Sequence, residues 1–253
     1  MKDKPMDRWK FFDITHHEHV ICNPTSDAKL SRLVELLRLP KGAEVVDIAS
    51  GKGDFLFRLA KAYQVKGIGV DLSPPFIDKA KARHQAEMSD ADISFLHMDG
   101  SDFKPEKPNS FALASCLGAT WVFNGYQGTL EALCKIAAPG GWVIVGEPYW
   151  KQKPAKEYLE VISEHSDEAF GTHQSNAEAG AQFGLNLVYT FHSTGDEWDQ
   201  YECLQWYATD NYVRENPDDP DIKALTVQVE KEKSAYLNWG RDTLGWAIYV
   251  FRR

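Results

Sequence analysis

The stretch Glu44-Val45-Val46-Asp47-Ile48-Ala49-Ser50-Gly51-Lys52-Gly53-Asp54-Phe55 constrains the fold more than any other part of the chain. Val45 to Ala49 is short, apolar and rich in β-branched residues, as a strand covered on both faces must be. Gly51 and Gly53 then allow backbone angles and a close ligand approach that a Cβ would block. A helix starting near Asp54 would aim its unpaired N–H groups at the same space. This pattern of strand, tight turn and helix start suits a nucleoside-bearing ligand. Asp47 separates the turn from a nicotinamide site, because a carboxylate beside a helix N-terminus repels a pyrophosphate but can bridge to an ammonium.

The chain alternates strands and helices beyond this point. Phe55, Leu56, Leu59, Ala60 and Tyr63 have helical spacing, and Lys66 to Asp71 reads as a second buried strand ending in an acid. Asp71 then lies at the carboxyl edge of the neighbouring strand, placed for a ribose diol. Ser73-Pro74 opens a helix to about Met88. Ile93 to Met98 is a third strand followed by Asp99-Gly100, where a carboxylate can accept from an exocyclic amine. Ser110 to Cys116 gives a fourth strand, Leu130, Leu133 and Ile136 a helix, and Pro139-Gly140-Gly141 turns into a fifth strand, Trp142 to Gly146. That strand leads into Glu147-Pro148-Tyr149-Trp150. Upstream, Thr25 or Ser26 caps a helix carrying Leu30, Leu33, Val34 and Leu37. Residues 1–24, with Trp9, Phe11, Phe12 and the cluster His16-His17-Glu18-His19, read as a polar segment folded over a pocket. On a helix His16 and His19 would share a face. Downstream, Lys156 to Phe170 looks helical, Gly171 to Gly180 looks like a flexible loop, and Leu185 to Ser193 alternates as a strand. Two helical stretches, about 197–215 and 221–239, are split by Asn216-Pro217-Asp218-Asp219-Pro220, and Leu244 to Phe251 closes as a strand. The helical pair is an insertion able to reach over the pocket.

These observations predict an α/β fold with a mostly parallel sheet, helices on both faces and a helical cap. The whole chain, residues 1–253, forms one unit. It divides into an N-terminal cap and lead helix (1–43), a cofactor-binding core (44–150) and a substrate-side half (151–253). With 28 Lys plus Arg against 37 Asp plus Glu, a net charge of −9, neither nucleic acid nor an anionic membrane is expected as partner. The cysteines, Cys22, Cys116, Cys134 and Cys203, form no C-x-x-C pair, so the expectation is reduced thiols in a cytoplasmic protein with no structural metal. No segment has the apolar length of a membrane span.

Together, D-x-[A/G]-x-G-x-G at Asp47 to Gly53, Asp71, Asp99-Gly100 and P-G-G before the fifth strand resemble the class I S-adenosylmethionine-dependent methyltransferases. Cys116 to Trp121 (CLGATW) and Gly146 to Trp150 (GEPYW) look closer still to an uncharacterised bacterial small-molecule branch of that family. The resemblance implies a seven-stranded sheet of order 3-2-1-4-5-7-6 with the last strand antiparallel, and S-adenosyl-L-methionine as cofactor. It assigns Ala49, Gly51 and Gly53 to the methionyl part, Asp71 to the ribose hydroxyls, Asp99 with Gly100 to the adenine amine, and the Cys116 backbone to the methionyl ammonium, with Asp47 and Leu72 also among the cofactor contacts. Ala49 stands where the family has its first glycine, and at ordinary strand angles its methyl costs little.

Transfer of methyl from a sulfonium is an in-line displacement, and a base is required only for a protonated nucleophile. His16 and His19 from the lid and Glu147 at the end of strand five are the candidates. Trp121, Tyr149 and Trp150, at strand ends, are candidate acceptor contacts, whereas Trp198, Tyr201, Trp206 and Tyr207 have helical spacing and read as packing of the lid. Two other functions share parts of this pattern: an NAD(P)-dependent oxidoreductase, which would want a third glycine, and a non-catalytic S-adenosylmethionine-binding regulator. An RNA or protein acceptor is disfavoured by the acidic balance and by the absence of an N/D-P-P-Y signature after strand four. The expected acceptor is a small molecule.

Overall fold

A computed structural model describes residues 6–162 and 169–253. Its centre is a seven-stranded sheet built from β1 (Glu44–Ile48), β2 (Lys66–Asp71), β3 (Ile93–His97), β4 (Phe111–Leu117), β5 (Ala137–Trp150), β6 (Asn186–His192) and β7 (Leu244–Arg252). The strand order is β3-β2-β1-β4-β5-β7-β6. The first five strands run parallel, and β7 lies antiparallel between β5 and β6. This is the order the resemblance implies.

The helices follow from caps and apolar periodicity. In α1 (Arg8–Thr15), Asp7 caps by accepting from the Lys10 N–H at 2.9 Å. In α2 (Asp27–Leu37), Ser26 is the cap and Leu30, Leu33, Val34 and Leu37 face inward. Its C-terminal carbonyl, on Leu37, accepts from the Trp142 indole at 3.0 Å, tying the helix to β5. α3 (Asp54–Tyr63) and α4 (Pro74–Glu87) pack with α2 on one sheet face, around Leu33, Leu56, Leu59, Ile77 and Ile144. On the other face α5 (Tyr126–Ile136) buries Leu130, Leu133 and Ile136 against Val46, Val143, Val145 and Tyr249. Truncating a fully buried leucine such as Leu33 or Leu133 to alanine typically costs about 2–5 kcal/mol.

Three expectations change. The segment expected to be helical over 156–170 forms α6 (Lys156–Val161), and residues 163–168 lie outside the described residues. The stretch expected as a loop over 171–180 contains α7 (His173–Glu178). There Thr172 and Ser175 cap each other reciprocally, and the Asn176 amide donates to the Pro148 carbonyl at 3.3 Å, so local capping outweighs a composition with little to bury. The fifth strand does not stop at Gly146 but continues to Trp150, because β7 pairs with it from Trp142↔Arg252 to Trp150↔Leu244. Between β6 and β7 the chain inserts α8 (Gly195–Glu215) and α9 (Ile222–Ala235), the latter followed by a widened turn over Tyr236–Gly240. α1 docks on this insertion. Ile14 packs against Leu225 and Val229, and Lys10 Nζ lies 2.7 Å from Asp219 and 2.6 Å from Asp221. Among the described residues no helix is long and apolar enough to cross a membrane.

Candidate active site

A cavity of about 420 Å³ opens at the carboxyl ends of β1, β2 and β4, between the strand edge and the lid formed by α1, the segment after it, and α8. The glycine turn makes its floor. Ala49, Gly51 and Gly53 have φ values of +56°, +55° and +80°, so the chain turns left-handed at three positions within five residues. Gly53 is irreplaceable for packing as well, since a Cβ there would meet the Phe95 ring at 2.5 Å. Ala49 is a correction to the sequence reading. It does not sit at strand angles, and its methyl is held in the region that L-residues avoid.

Three carboxylates project from the strand ends into this space, each held differently. Asp47 is 3 % exposed and accepts from the Ser115 hydroxyl at 2.7 Å, and burial pushes its carboxyl up to about 7. Asp71 accepts from the Gly51 N–H and the Ser73 N–H, both at 2.8 Å, so it fastens the glycine turn to β2. Burial raises its carboxyl, and those two donors work against the rise. Asp99 accepts from the Ser101 N–H at 2.8 Å and from its hydroxyl at 2.7 Å, which hold it below the usual carboxylate range. The hydroxyls of Ser50 and Ser73 also line the cavity, buried and without a hydrogen-bond partner. A wall of acids with free hydroxyls fits a cationic, polyhydroxylated ligand.

The lid is fixed to this floor by Lys52, the residue between the two glycines. Its Nζ donates to the carbonyls of His16 (2.6 Å), His17 (3.1 Å) and His19 (2.7 Å), capping the last turn of the lid segment with a positive charge. Above it, the hydrogen bonds determine the histidine tautomers. Thr15 gives its one hydroxyl proton to the Phe11 carbonyl at 3.0 Å, so its oxygen accepts from His16 Nδ1–H at 3.0 Å. His16 Nε2 therefore carries the lone pair and accepts from the Tyr201 hydroxyl at 2.9 Å. His19 Nε2–H donates to the Tyr201 carbonyl at 2.9 Å, which leaves its Nδ1 lone pair buried and without a partner. Burial, together with the nearby His19 and Lys52, pushes His16 down to about 3. Burial likewise lowers His19 and raises the Tyr201 phenol. The result is a neutral chain, Tyr201 to His16 to Thr15, beginning at the cavity wall.

A methyltransferase-domain family profile matches residues 45–141, the segment that carries the turn and all three carboxylates. Among curated proteins, the uncharacterized protein YjhP of Escherichia coli is 29 % identical over 246 residues, covering 97 % of this chain and 98 % of its own. A solved structure of an S-adenosylmethionine-dependent methyltransferase from Geobacter sulfurreducens, in complex with S-adenosyl-L-homocysteine, is 31 % identical. It superposes over 100 % of both chains with a TM-score of 0.89. The chain belongs to the S-adenosylmethionine-dependent methyltransferases. A second relative, from Thiobacillus denitrificans and also in complex with S-adenosyl-L-homocysteine, is 29 % identical over 99 % of this chain and 100 % of its own, with a TM-score of 0.88. Membership sets the nicotinamide oxidoreductase aside and makes this chain an enzyme.

In this methyltransferase the expected site residues separate into those that line the cavity and those that do not. Asp47, Ala49, Gly51, Asp71, Leu72, Asp99, Gly100, Trp121 and His16 line it. Gly53 lies beneath it against Phe95, and Cys116 is fully buried in β4, whose following residues Leu117 and Gly118 form the wall instead. His19 faces a neighbouring cavity of about 500 Å³, between residues 18–28 and α8, that shares Tyr201 as a wall. Glu147, Tyr149 and Trp150 line neither cavity. The extension of β5 explains this: pairing with β7 carries these residues past the strand edge. Glu147 lies buried beside Thr120, Tyr149 against His173, and Trp150 against Tyr158 and Phe170. Sequence reasoning missed Lys52, although its place inside the glycine turn marked it. It also read Tyr201 as packing, and no local signal could have joined it to His16 across 185 positions.

Proposed function

We propose that this methyltransferase acts on a small molecule held between the strand edge and the lid, with His16 and Tyr201 receiving the acceptor's proton. The observation that supports this reading is the placement of the neutral Tyr201–His16 pair on the lid side of a cavity whose opposite wall is acidic. The acidic wall is the cofactor side. Asp71, with Leu72, takes the ribose hydroxyls, Asp99 with Gly100 the adenine amine, and Asp47 with the turn at Ala49 and Gly51 the methionyl part. Leu117 and Gly118 supply the backbone that the sequence reading sought at Cys116. Bound there, S-adenosylmethionine supplies a methyl group on a positively charged sulfur that becomes neutral when the methyl leaves in line.

The chain's own residues align the acceptor, exclude water and move one proton. As the acceptor's O–H or N–H atom takes the methyl, its proton passes to Tyr201 Oη, and Tyr201's own proton passes to His16 Nε2. Thr15 holds the resulting imidazolium at Nδ1–H. One positive charge is lost at sulfur and one appears on His16, so the cavity's net charge is unchanged. Loss of the sulfonium charge lessens the cost of charging the imidazole, which burial, His19 and Lys52 otherwise disfavour.

Titration calorimetry with S-adenosylmethionine, S-adenosylhomocysteine and NADH tests the cofactor side, with selective binding of the two adenosyl ligands expected. Small acceptors are then screened by S-adenosylhomocysteine release. With an acceptor in hand, Tyr201→Phe should lower kcat by roughly 10²-fold while leaving S-adenosylhomocysteine affinity unchanged. An unaffected kcat would remove Tyr201 from the mechanism.

A further inference from the structure

The lid side of the cavity is built differently from its acidic floor, and the difference identifies the acceptor. On the lid side Val20 is 57 % exposed and Trp9 and Phe12 also line the cavity, and Trp121, 66 % exposed, lines it from the segment after β4. Exposed apolar surface of this kind, rimming a concave site, marks where an apolar ligand lies.

Two cations reach the cavity from the lid side and floor, and only one has capacity left. Lys52 spends its three protons on three lid carbonyls. Arg8 makes no ion pair and no side-chain hydrogen bond among the described residues. Its guanidinium carbon lies over the Trp9 ring at 4.9 Å and the Phe12 ring at 5.7 Å, and it lines the cavity. A guanidinium held by aromatic faces keeps its in-plane N–H groups for an anion, the geometry in which arginine grips a carboxylate. The cavity's carboxylates, Asp47, Asp54, Asp71 and Asp99, are all on the opposite, strand-edge side, and Asp54 is already paired with Arg58 and Arg83 at 2.6 and 3.0 Å.

We infer that the methyl acceptor is a small apolar acid: an aromatic or aliphatic body lying on Trp9, Phe12, Val20 and Trp121, its carboxylate on Arg8, and an O–H or N–H group directed to Tyr201. This rests on the methyltransferase site proposed above and adds the acceptor's chemical class. Acidic floor and basic rim divide the two ligands by charge, a cationic cofactor beneath and an anionic acceptor above.

The test uses the full chain saturated with S-adenosylhomocysteine and titrated calorimetrically with phenylacetate, 4-hydroxybenzoate and decanoate. Phenylacetamide and phenethylamine serve as neutral and cationic counterparts. Saturable binding of at least one acid is expected, about tenfold or more tighter than phenylacetamide, as one charge-assisted pair provides. Arg8→Gln should erase that margin, Arg8→Lys should retain part of it, and neither should change S-adenosylhomocysteine affinity. Binding of phenethylamine as tight as phenylacetate, no binding of any acid, or acid binding indifferent to Arg8→Gln would each overturn the inference. Failure of S-adenosylhomocysteine itself to bind would strike the underlying site assignment, and that result is read before any acid is added.

Discussion

Ala49 carries a methyl group at φ +56°, in a turn where glycine is the unstrained choice. The strain of a left-handed alanine, about 1–2 kcal/mol, exceeds the extra chain entropy that glycine loses on folding, about 0.5–1 kcal/mol. Ala49→Gly should therefore raise stability by about 0.5 kcal/mol, read as a higher midpoint in denaturant. A lower midpoint would show that the turn is not strained at this position. Asp71 and Asp99 make a second pair of residue-scale expectations. Asp71 holds two backbone N–H groups, so Asp71→Ala should weaken S-adenosylmethionine binding and also destabilise the fold by roughly 1–3 kcal/mol. Among the described residues the Asp99 side chain bonds only to Ser101, so Asp99→Ala should weaken binding with little change in melting temperature. Parallel calorimetry and thermal melts separate the two. Equal destabilisation by both variants would contradict the different roles read from their partners. Sequence alone placed both acids at strand ends. It could not show that one of them builds the turn, because that depends on which N–H groups the turn directs toward it.

At the scale of elements, the cofactor turn holds the lid through one side chain, Lys52, while Lys79 of α4 pairs with Asp13 of α1. Lys52→Met keeps the aliphatic stem and removes three hydrogen bonds to the carbonyls at the end of the lid segment. The expected result is faster limited proteolysis between residues 16 and 24, with the sheet's cooperative melting retained. Unchanged cleavage would mean that the α1–α8 packing and the Lys79–Asp13 pair hold the lid without it. The strands and long helices were legible because each carries its own period and punctuation, from Val45 to Ala49 and from Leu30 to Leu37 alike. The missed features were those set by partners distant in the chain. β5 runs on to Trp150 because β7 lies beside it, a pairing that the glycine at position 146 masks when read locally. The same pairing removed Glu147, Tyr149 and Trp150 from the site, whereas Asp47, Asp71 and Asp99, set by the parallel core, were where their strand ends required.

For the molecule as a whole, buried titratable groups pull the pH dependence of stability in opposite directions: His16, held down to about 3, favours the fold at higher pH, whereas Asp47 and Glu147, and with them Glu202, favour it at lower pH. Burial pushes both Asp47 and Glu147 up to about 7 from ordinary values of 3.8 and 4.5. Between those limits each of these two groups binds more protons in the folded chain than in the unfolded one, so the stability that it contributes is greatest below its ordinary value. It falls as pH rises toward 7 and levels off above. Glu147→Gln keeps the shape and removes one of the two titrations. It should melt close to wild type near pH 4 and be more stable by about 3 kcal/mol near pH 8. Matching stabilities at the higher pH would mean that Glu147 is not buried as a proton-holding acid.

The cavity's two walls also differ in how they are encoded. The acidic floor is written almost continuously, from Asp47 to Val122. The roof is drawn from two separated stretches, the first two dozen residues with Arg8 and the apolar side chains and α8 with Tyr201; they meet through His16 on Tyr201, and Lys10 reaches Asp219 and Asp221 just beyond α8. A lineage can thus retain its cofactor grip while changing what it methylates, but only by altering two separated stretches in step. On the proposed acceptor site, exchanging one stretch without the other should break the joint between them, so a change of acceptor would need matched changes in both.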